Sequence, residues 1–249
     1  MTEPCFLDTP SGRRIAYKQR KGKGPGVVFL SGFKSDMEGT KAQHLDIWAR
    51  RRKWGYLRFD YSGHGASSEK FEDGAISDWA EDAAAAIEAL TEGPQVLVGS
   101  SMGGWVALLL ARRMPERVAA LIGIAAAPDF TEDSMWASFS NAARAALAED
   151  GQLLMPSEYD EPYVITRRLI EDGRANLVLR EPLDLPFPVR LLQGTADVDV
   201  KPEVALRLLE HAESPDMTLN LVKGADHRFS DPSSLAHLDA ALADVLGRK

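Results

Sequence analysis

Short apolar runs, many of them β-branched, recur along this chain and are separated by longer stretches rich in alanine and charge. Residues 27–30, 57–60, 96–99, 118–124, 189–193 and 217–222 read as strands. Most are apolar at successive positions rather than at every second one, the pattern of strands covered on both faces. Between them, residues 40–54, 76–90, 103–114, 202–211 and 234–246 read as helices. Alternating strands and helices predict an α/β architecture with a mostly parallel central sheet flanked by helices. Residues 6–20 predict an antiparallel hairpin that turns at Ser11-Gly12.

One stretch breaks the rhythm. Residues 129–179 show no strong strand signal until their end. Met135, Trp136, Phe139, Ala143 and Leu147 fall at helical spacing, and a second helical pattern runs from about Tyr159 to Ile170. The expected organisation is a core of residues 1–128 and 180–249, with residues 129–179 inserted as a small, acidic helical cap over the carboxyl edge of the sheet.

Composition narrows the class of partner. The 249 residues carry a formal net charge of −8, without the basic footprint of a nucleic-acid binder or a polybasic membrane patch. No apolar run is long enough to predict a membrane span. A single cysteine, Cys5, rules out an internal disulfide and argues against a cysteine-based metal site. That cysteine usage and a start without a signal-peptide core or an Arg-rich transit pattern lead to the expectation of a cytoplasmic protein.

The chemistry centres on Gly99-Ser100-Ser101-Met102-Gly103, a G-x-S-x-G string. The pattern alone is weak. Its setting is not: a buried strand runs straight into it and an apolar helix leaves it. Glycines at 99 and 103 remove side chains that would collide in a sharp turn, Gly104 permits close helix packing, and the turn lifts the Ser101 hydroxyl to the positive end of the helix dipole.

A serine hydroxyl needs a base. His44 and His237 fall within helical patterns and His211 near a helix end. His64, in a glycine-rich loop after a strand, competes with His227, which follows the last strand; chain order favours His227. Asp197, with Asp199 as fallback, lies in the loop before it and can orient the imidazole. Oxyanion donors are expected from the backbone N–H of Met102 and of Phe33, the latter in the Ser31-Gly32-Phe33-Lys34 loop.

Together, PGVVFLSGF, GTKA, LRFDYSGHGAS, GPQVLVGSSMGGW and DHRF resemble the α/β-hydrolase superfamily over essentially the whole chain. Within it they are similar to the abhydrolase-domain thioesterases that remove palmitoyl groups from proteins and cleave acyl glucuronides. The resemblance implies the α/β-hydrolase fold, Ser101, Asp197 and His227 as catalytic residues, and Phe33 and Met102 as oxyanion donors. Two departures stand out: Ser31-Gly32 replaces the His-Gly common among esterases, and mitochondrial import does not carry over to this N-terminus.

The expected function is cleavage of carboxylic esters or thioesters through an acyl-enzyme, with no metal or organic cofactor. The substrate is a small-molecule ester or thioester, or an S-acylated protein. Trp136, Phe139, Met155, Met135 and Tyr159 are candidate walls of an acyl site, each equally well explained by packing. The alternatives are a general small-molecule carboxylesterase and a non-catalytic ligand-binding protein of the same fold.

Overall fold

The structure, a computed structural model, describes residues 3–155 and 162–247. It opens with β1 (Cys5–Asp8) and β2 (Arg14–Arg20), an antiparallel pair with Phe6 opposite Ala16. There follow β3 (Lys23–Leu30), α1 (Thr40–Arg52), β4 (Trp54–Phe59), α2 (Ile76–Leu90), β5 (Gln95–Ser100), α3 (Met102–Arg113) and β6 (Val118–Ile124). After a π-helical turn at Thr131–Trp136 come α4 (Asn141–Asp150), β7 (Gln152–Met155), β8 (Tyr163–Thr166) and α5 (Arg167–Ala175). The chain closes with β9 (Leu183–Asp184), β10 (Val189–Gly194), α6 (Pro202–His211), β11 (Ala212–Glu213), β12 (Met217–Val222) and α7 (Pro232–Gly247).

Eight strands form one sheet in the order β1-β2-β4-β3-β5-β6-β10-β12. From β4 to β12 neighbouring strands are parallel; β2 meets β4 antiparallel. Successive residues of the central strands serve opposite faces, the period of two that a pleated strand imposes. Val28, Leu30, Leu97, Leu121 and Leu191 enter one core with side chains of α2, α3 and α5. Val27, Phe29, Val96, Val98, Ile122 and Leu192 enter the other, beneath α1 and α7. The continuous apolar runs follow directly, because each such strand buries both faces at about 1.5–3 kcal/mol per large side chain.

The stretch between β6 and β10 differs from the expected pair of helices. The apolar spacing from Met135 to Leu147 spans two separate turns of structure: the helix restarts at α4, where the Ser140 hydroxyl accepts the Ala143 N–H, and ends at Gly151 in the left-handed region. Tyr163-Val164-Ile165-Thr166 then pairs with β7 as a hairpin, and α5 begins only at Arg167, capped by the Thr166 hydroxyl on the Leu169 N–H. An alternating aromatic and β-branched segment next to a partner strand forms ladder rather than helix. Tyr159 lies outside the described residues.

This stretch is tied down at its base. Asp129, fully buried with φ 58°, accepts the N–H groups of Val178 (2.8 Å) and Leu179 (3.0 Å), and Arg180 reaches the same carboxylate at 3.2 Å. Further up, Ser77 and Asp172 join α2 to α5, and the Trp105 indole donates to the Asn176 carbonyl at 3.1 Å.

Candidate active site

The parallel strands end along one edge, and the turns and loops that leave them there carry Phe33, Ser101, Asp197 and His227. Ser101 stands between β5 and α3 with φ 54° and ψ −120°, a conformation L-residues avoid. The turn is held from outside: Ser101 N–H donates to Ile124 O at 2.9 Å, while its carbonyl accepts Gly104 N–H (2.9 Å) and Ala127 N–H (3.1 Å). Side chains are excluded from its base. A Cβ on Gly99 would lie 2.3 Å from Gly103 O, and one on Gly103 would lie 2.0 Å from Leu30 O. Strand, helix and the end of β3 therefore converge closely enough to present Ser101 at the start of α3.

His227 sits in the loop between β12 and α7. Its Nε2 is 3.2 Å from Ser101 Oγ, and its Nδ1 lies 3.1 and 3.0 Å from the two carboxylate oxygens of Asp197. The Asp197 side chain is fully buried while the His227 side chain keeps 24% exposure. Asp197 Oδ1 also accepts Asp199 N–H (3.0 Å) and Val200 N–H (2.8 Å), and Oδ2 accepts Gln193 Nε2 (2.9 Å). Burial pushes the Asp197 carboxyl up, but the His227 imidazole, the Val200 N–H and the Gln193 amide outweigh it and hold it below the usual carboxylate range.

The His227 loop is itself anchored. Lys41, at the start of α1, donates Nζ to the Arg228 carbonyl, Asp226 Oδ1 accepts Phe229 N–H at 3.0 Å, and the Phe229 side chain is fully buried. Burial lowers the Lys41 ammonium to about 8, against an upward pull from Asp226.

The competing residues have other partners. Asp199 is exposed and offers its backbone, not its carboxylate, to Asp197. His44 Nε2 meets Asp239 Oδ1 at 2.6 Å, His211 meets Glu181 O at 2.9 Å, and His237 meets Asn220 at 3.1 Å. His64 is buried beneath the loop after β3, with Nδ1 3.1 Å from Ser62 O and Nε2 3.2 Å from Lys34 N. Asp197, Asp199 and His227 are close enough together to ligate a cation. The Asp197 oxygens, however, are engaged by N–H donors that a metal would have to displace, so the donor set fits an oriented imidazole better than a metal.

The proposed oxyanion donors come from two loops at the same edge. Met102 is the first residue of α3, and Gly32 approaches Ser101 so closely that a Cβ there would lie 3.4 Å from Ser101 Cβ. Among the described residues, neither the Met102 N–H nor the Phe33 N–H has a protein acceptor.

The acyl-wall candidates are placed in packing. Arg144 and Arg174 stack on the Trp136 ring at 4.9 and 4.3 Å, Phe139 is buried edge-on to Trp136, and Met155 ends β7. The aromatic group around Phe33 has other members: Phe71 at 4.8 Å, Phe130 at 5.7 Å, Tyr163 at 5.7 Å and Trp79 at 6.0 Å between centroids. Lys34 lies over Phe71 and Tyr163 at 4.9 and 5.4 Å. Phe130 and Tyr163 stand in no sequence motif, and only tertiary packing brings them to Phe33. A groove of about 400 Å³ exists at the opposite, amino edge of the sheet, between Lys23, Gly55 and Gln95, away from these residues.

A model of the alpha/beta hydrolase family matches residues 27–245. The chain is similar to the palmitoyl-protein thioesterase ABHD10, mitochondrial, of Rattus norvegicus, 34% identical over 99% of this chain and 84% of the relative. The solved alpha/beta hydrolase domain-containing protein 10 from mouse is 31% identical, covers 99% of both chains and superposes with a TM-score of 0.91. A crystal structure from Agrobacterium vitis S4 is 41% identical over 98% of each chain, with a TM-score of 0.94.

The rat relative and its bovine and human counterparts are named as mitochondrial, which overturns the cytoplasmic expectation. The reason is physical: a lone cysteine excludes an internal disulfide but does not distinguish one reducing compartment from another. Among the described residues no helix is long and apolar enough to cross a membrane. Sheet order, site geometry and matches that run the length of the sequence agree, and the chain belongs to the alpha/beta hydrolase family.

Proposed function

We propose that this protein is a serine hydrolase of acyl thioesters, acting on S-acylated proteins by way of an acyl-enzyme on Ser101. The carrying observation is the relay of His227 Nε2 at 3.2 Å from Ser101 Oγ with Nδ1 at 3.0 Å from buried Asp197. The substrate class is supported by the full-length similarity to a relative named palmitoyl-protein thioesterase.

In this reading His227 takes the Ser101 proton as Oγ attacks the acyl carbonyl. Asp197 stays ionised and holds the Nδ1–H tautomer while stabilising the imidazolium. Met102 and Phe33 N–H groups meet the developing oxyanion, a contribution of about 3–4 kcal/mol per donor. The C–S bond then breaks, His227 returns the proton to the departing thiolate, and the acyl group remains on Ser101. Water, activated by His227, attacks that ester and releases the acid. The aromatic group around Phe33 supplies an apolar wall for the acyl chain, and Trp136, Phe139 and Met155 are further candidates for it.

The test is intact mass after a fluorophosphonate probe, alongside hydrolysis of S-palmitoylated peptide, acyl-coenzyme A, oxygen ester and acyl glucuronide. One adduct per chain, lost in Ser101→Ala together with activity, is expected. The S-acyl peptide should give the highest kcat/KM. A folded wild-type protein that takes no adduct, or a flat substrate profile, rejects the proposal.

A further inference from the structure

We propose that His64 is a positioning residue for the oxyanion loop: by accepting the Lys34 N–H on Nε2 it fixes the peptide that follows Phe33, and so sets where the Phe33 N–H points. The inference rests on the preceding reading, in which Phe33 is an oxyanion donor.

The geometry selects one tautomer. Nε2 faces a backbone donor, Lys34 N, at 3.2 Å, so it must be the acceptor. Nδ1 faces a backbone acceptor, Ser62 O, at 3.1 Å, so it must carry the proton. The ring is 4% exposed and lies edge-on to Tyr61, Phe71 and Trp79 at 5.7, 5.2 and 5.2 Å. Burial lowers this imidazole to about 4, so it stays neutral at ordinary pH and its Nε2 lone pair remains available.

The anchor beneath His64 is rigid. Ser62 donates its N–H (2.9 Å) and its hydroxyl (2.6 Å) to Asp82 Oδ2, and Arg13 Nε reaches Asp82 Oδ1 at 2.6 Å. A chain of contacts thus runs from Arg13, just before β2, through α2 and the loop after β4 to the oxyanion loop. The same loop is also held by a turn bond from Ser35 N–H to Gly32 O at 3.1 Å and, four residues beyond Phe33, by Met37 N–H on Asp60 Oδ1 and Arg58 on Met37 O, both at 2.6 Å. Among the described residues, the His64 contact is the one that a side chain makes to the backbone beside Phe33. Lys34 needs such support, since its φ of 53° is in the left-handed region. Gly32, on the other side of Phe33, abuts Ser101, so a small rotation here moves the donor relative to the nucleophile. Misplacement of about 1 Å is enough for about 10²-fold in rate.

The experiment compares His64→Phe, which keeps an aromatic ring, with His64→Gln, whose Oε1 can take the place of the Nε2 acceptor. For each, kcat and KM on a 4-nitrophenyl ester and the inhibition constant of an aryl boronic acid are measured. His64→Phe is expected to lower kcat about 10- to 100-fold with KM within twofold, and to weaken the boronic acid by a similar factor. His64→Gln should recover most of both. Nitrogen NMR of the wild type should show a neutral, Nδ1-protonated His64. A fast His64→Phe, equal losses in both variants, or an Nε2-protonated ring overturns the inference; the NMR result decides it if His64→Phe does not fold. Ser101→Ala, run in parallel, separates the two levels. An active Ser101→Ala rejects the hydrolase reading itself, whereas an inactive Ser101→Ala beside a full-speed His64→Phe rejects only the role of His64.

Discussion

Asp197 carries more hydrogen bonds than its one proposed task requires. Two backbone N–H groups, the Gln193 amide and the His227 ring all converge on a carboxylate whose side chain is fully buried. The negative charge is thereby fixed in place, and with it the proton on Nδ1. Asp197→Asn keeps the size but presents an N–H or a weaker acceptor to His227, which favours the wrong tautomer. Its expected effect is a loss of about 10³–10⁴-fold in kcat with the protein still folded, measured by ester hydrolysis and circular dichroism. Asp199→Asn should change kcat by less than threefold, because that side chain is exposed and only its backbone meets Asp197. A large loss in the second variant and a small one in the first would reverse the assignment.

At the scale of elements, the His227 loop shows how helices on one side of the sheet steady chemistry at its edge. Lys41 leaves α1 to hold the Arg228 carbonyl, and burial lowers its ammonium from 10.5 to about 8. The unfolded chain therefore binds this proton more tightly than the native one. Between about pH 8 and 10.5 the native state has released it while the unfolded state has not, so this group makes stability rise with pH in that window. Relative to Lys41→Met, the wild type should gain about 1–3 kcal/mol over that range in urea denaturation. A constant difference would mean that the ammonium is not desolvated.

The elements that were legible in the sequence share one physical trait. Strands buried on both faces, such as β5 and β6, write a continuous apolar run, and helices such as α2 write a stripe; both patterns are local. The hairpin of β7 and β8 is not local in this sense. Each strand is only half buried, and its pairing depends on a partner several residues away, so the pattern around 159–170 read as helix. The same distinction separates the site residues. Ser101, Asp197 and His227 sit in short signatures at strand ends, whereas Phe130 and Tyr163 reach Phe33 only through tertiary packing, and the His64 contact to Lys34 spans two loops that no motif connects.

For the molecule as a whole, the buried carboxylate of Asp129 matters because it closes a long stretch of chain. It gathers both ends of the stretch between β6 and β10, and replacing it by alanine leaves the Val178 and Leu179 N–H groups without acceptors in a buried place. A loss of about 3–5 kcal/mol is expected in denaturant titration, with earlier proteolytic cutting between residues 130 and 177 than in the sheet strands. Uniform cutting throughout the chain would instead indicate global unfolding. One side chain thus brings residues 129 and 178 side by side, so the two ends of the stretch meet at one point, while α5 within it packs on the main core. Transplanting the corresponding stretch from a relative, with Asp129 and Val178 kept as the splice points, should alter which acyl groups are accepted while strand register and the spacing of Ser101 to His227 stay as they are.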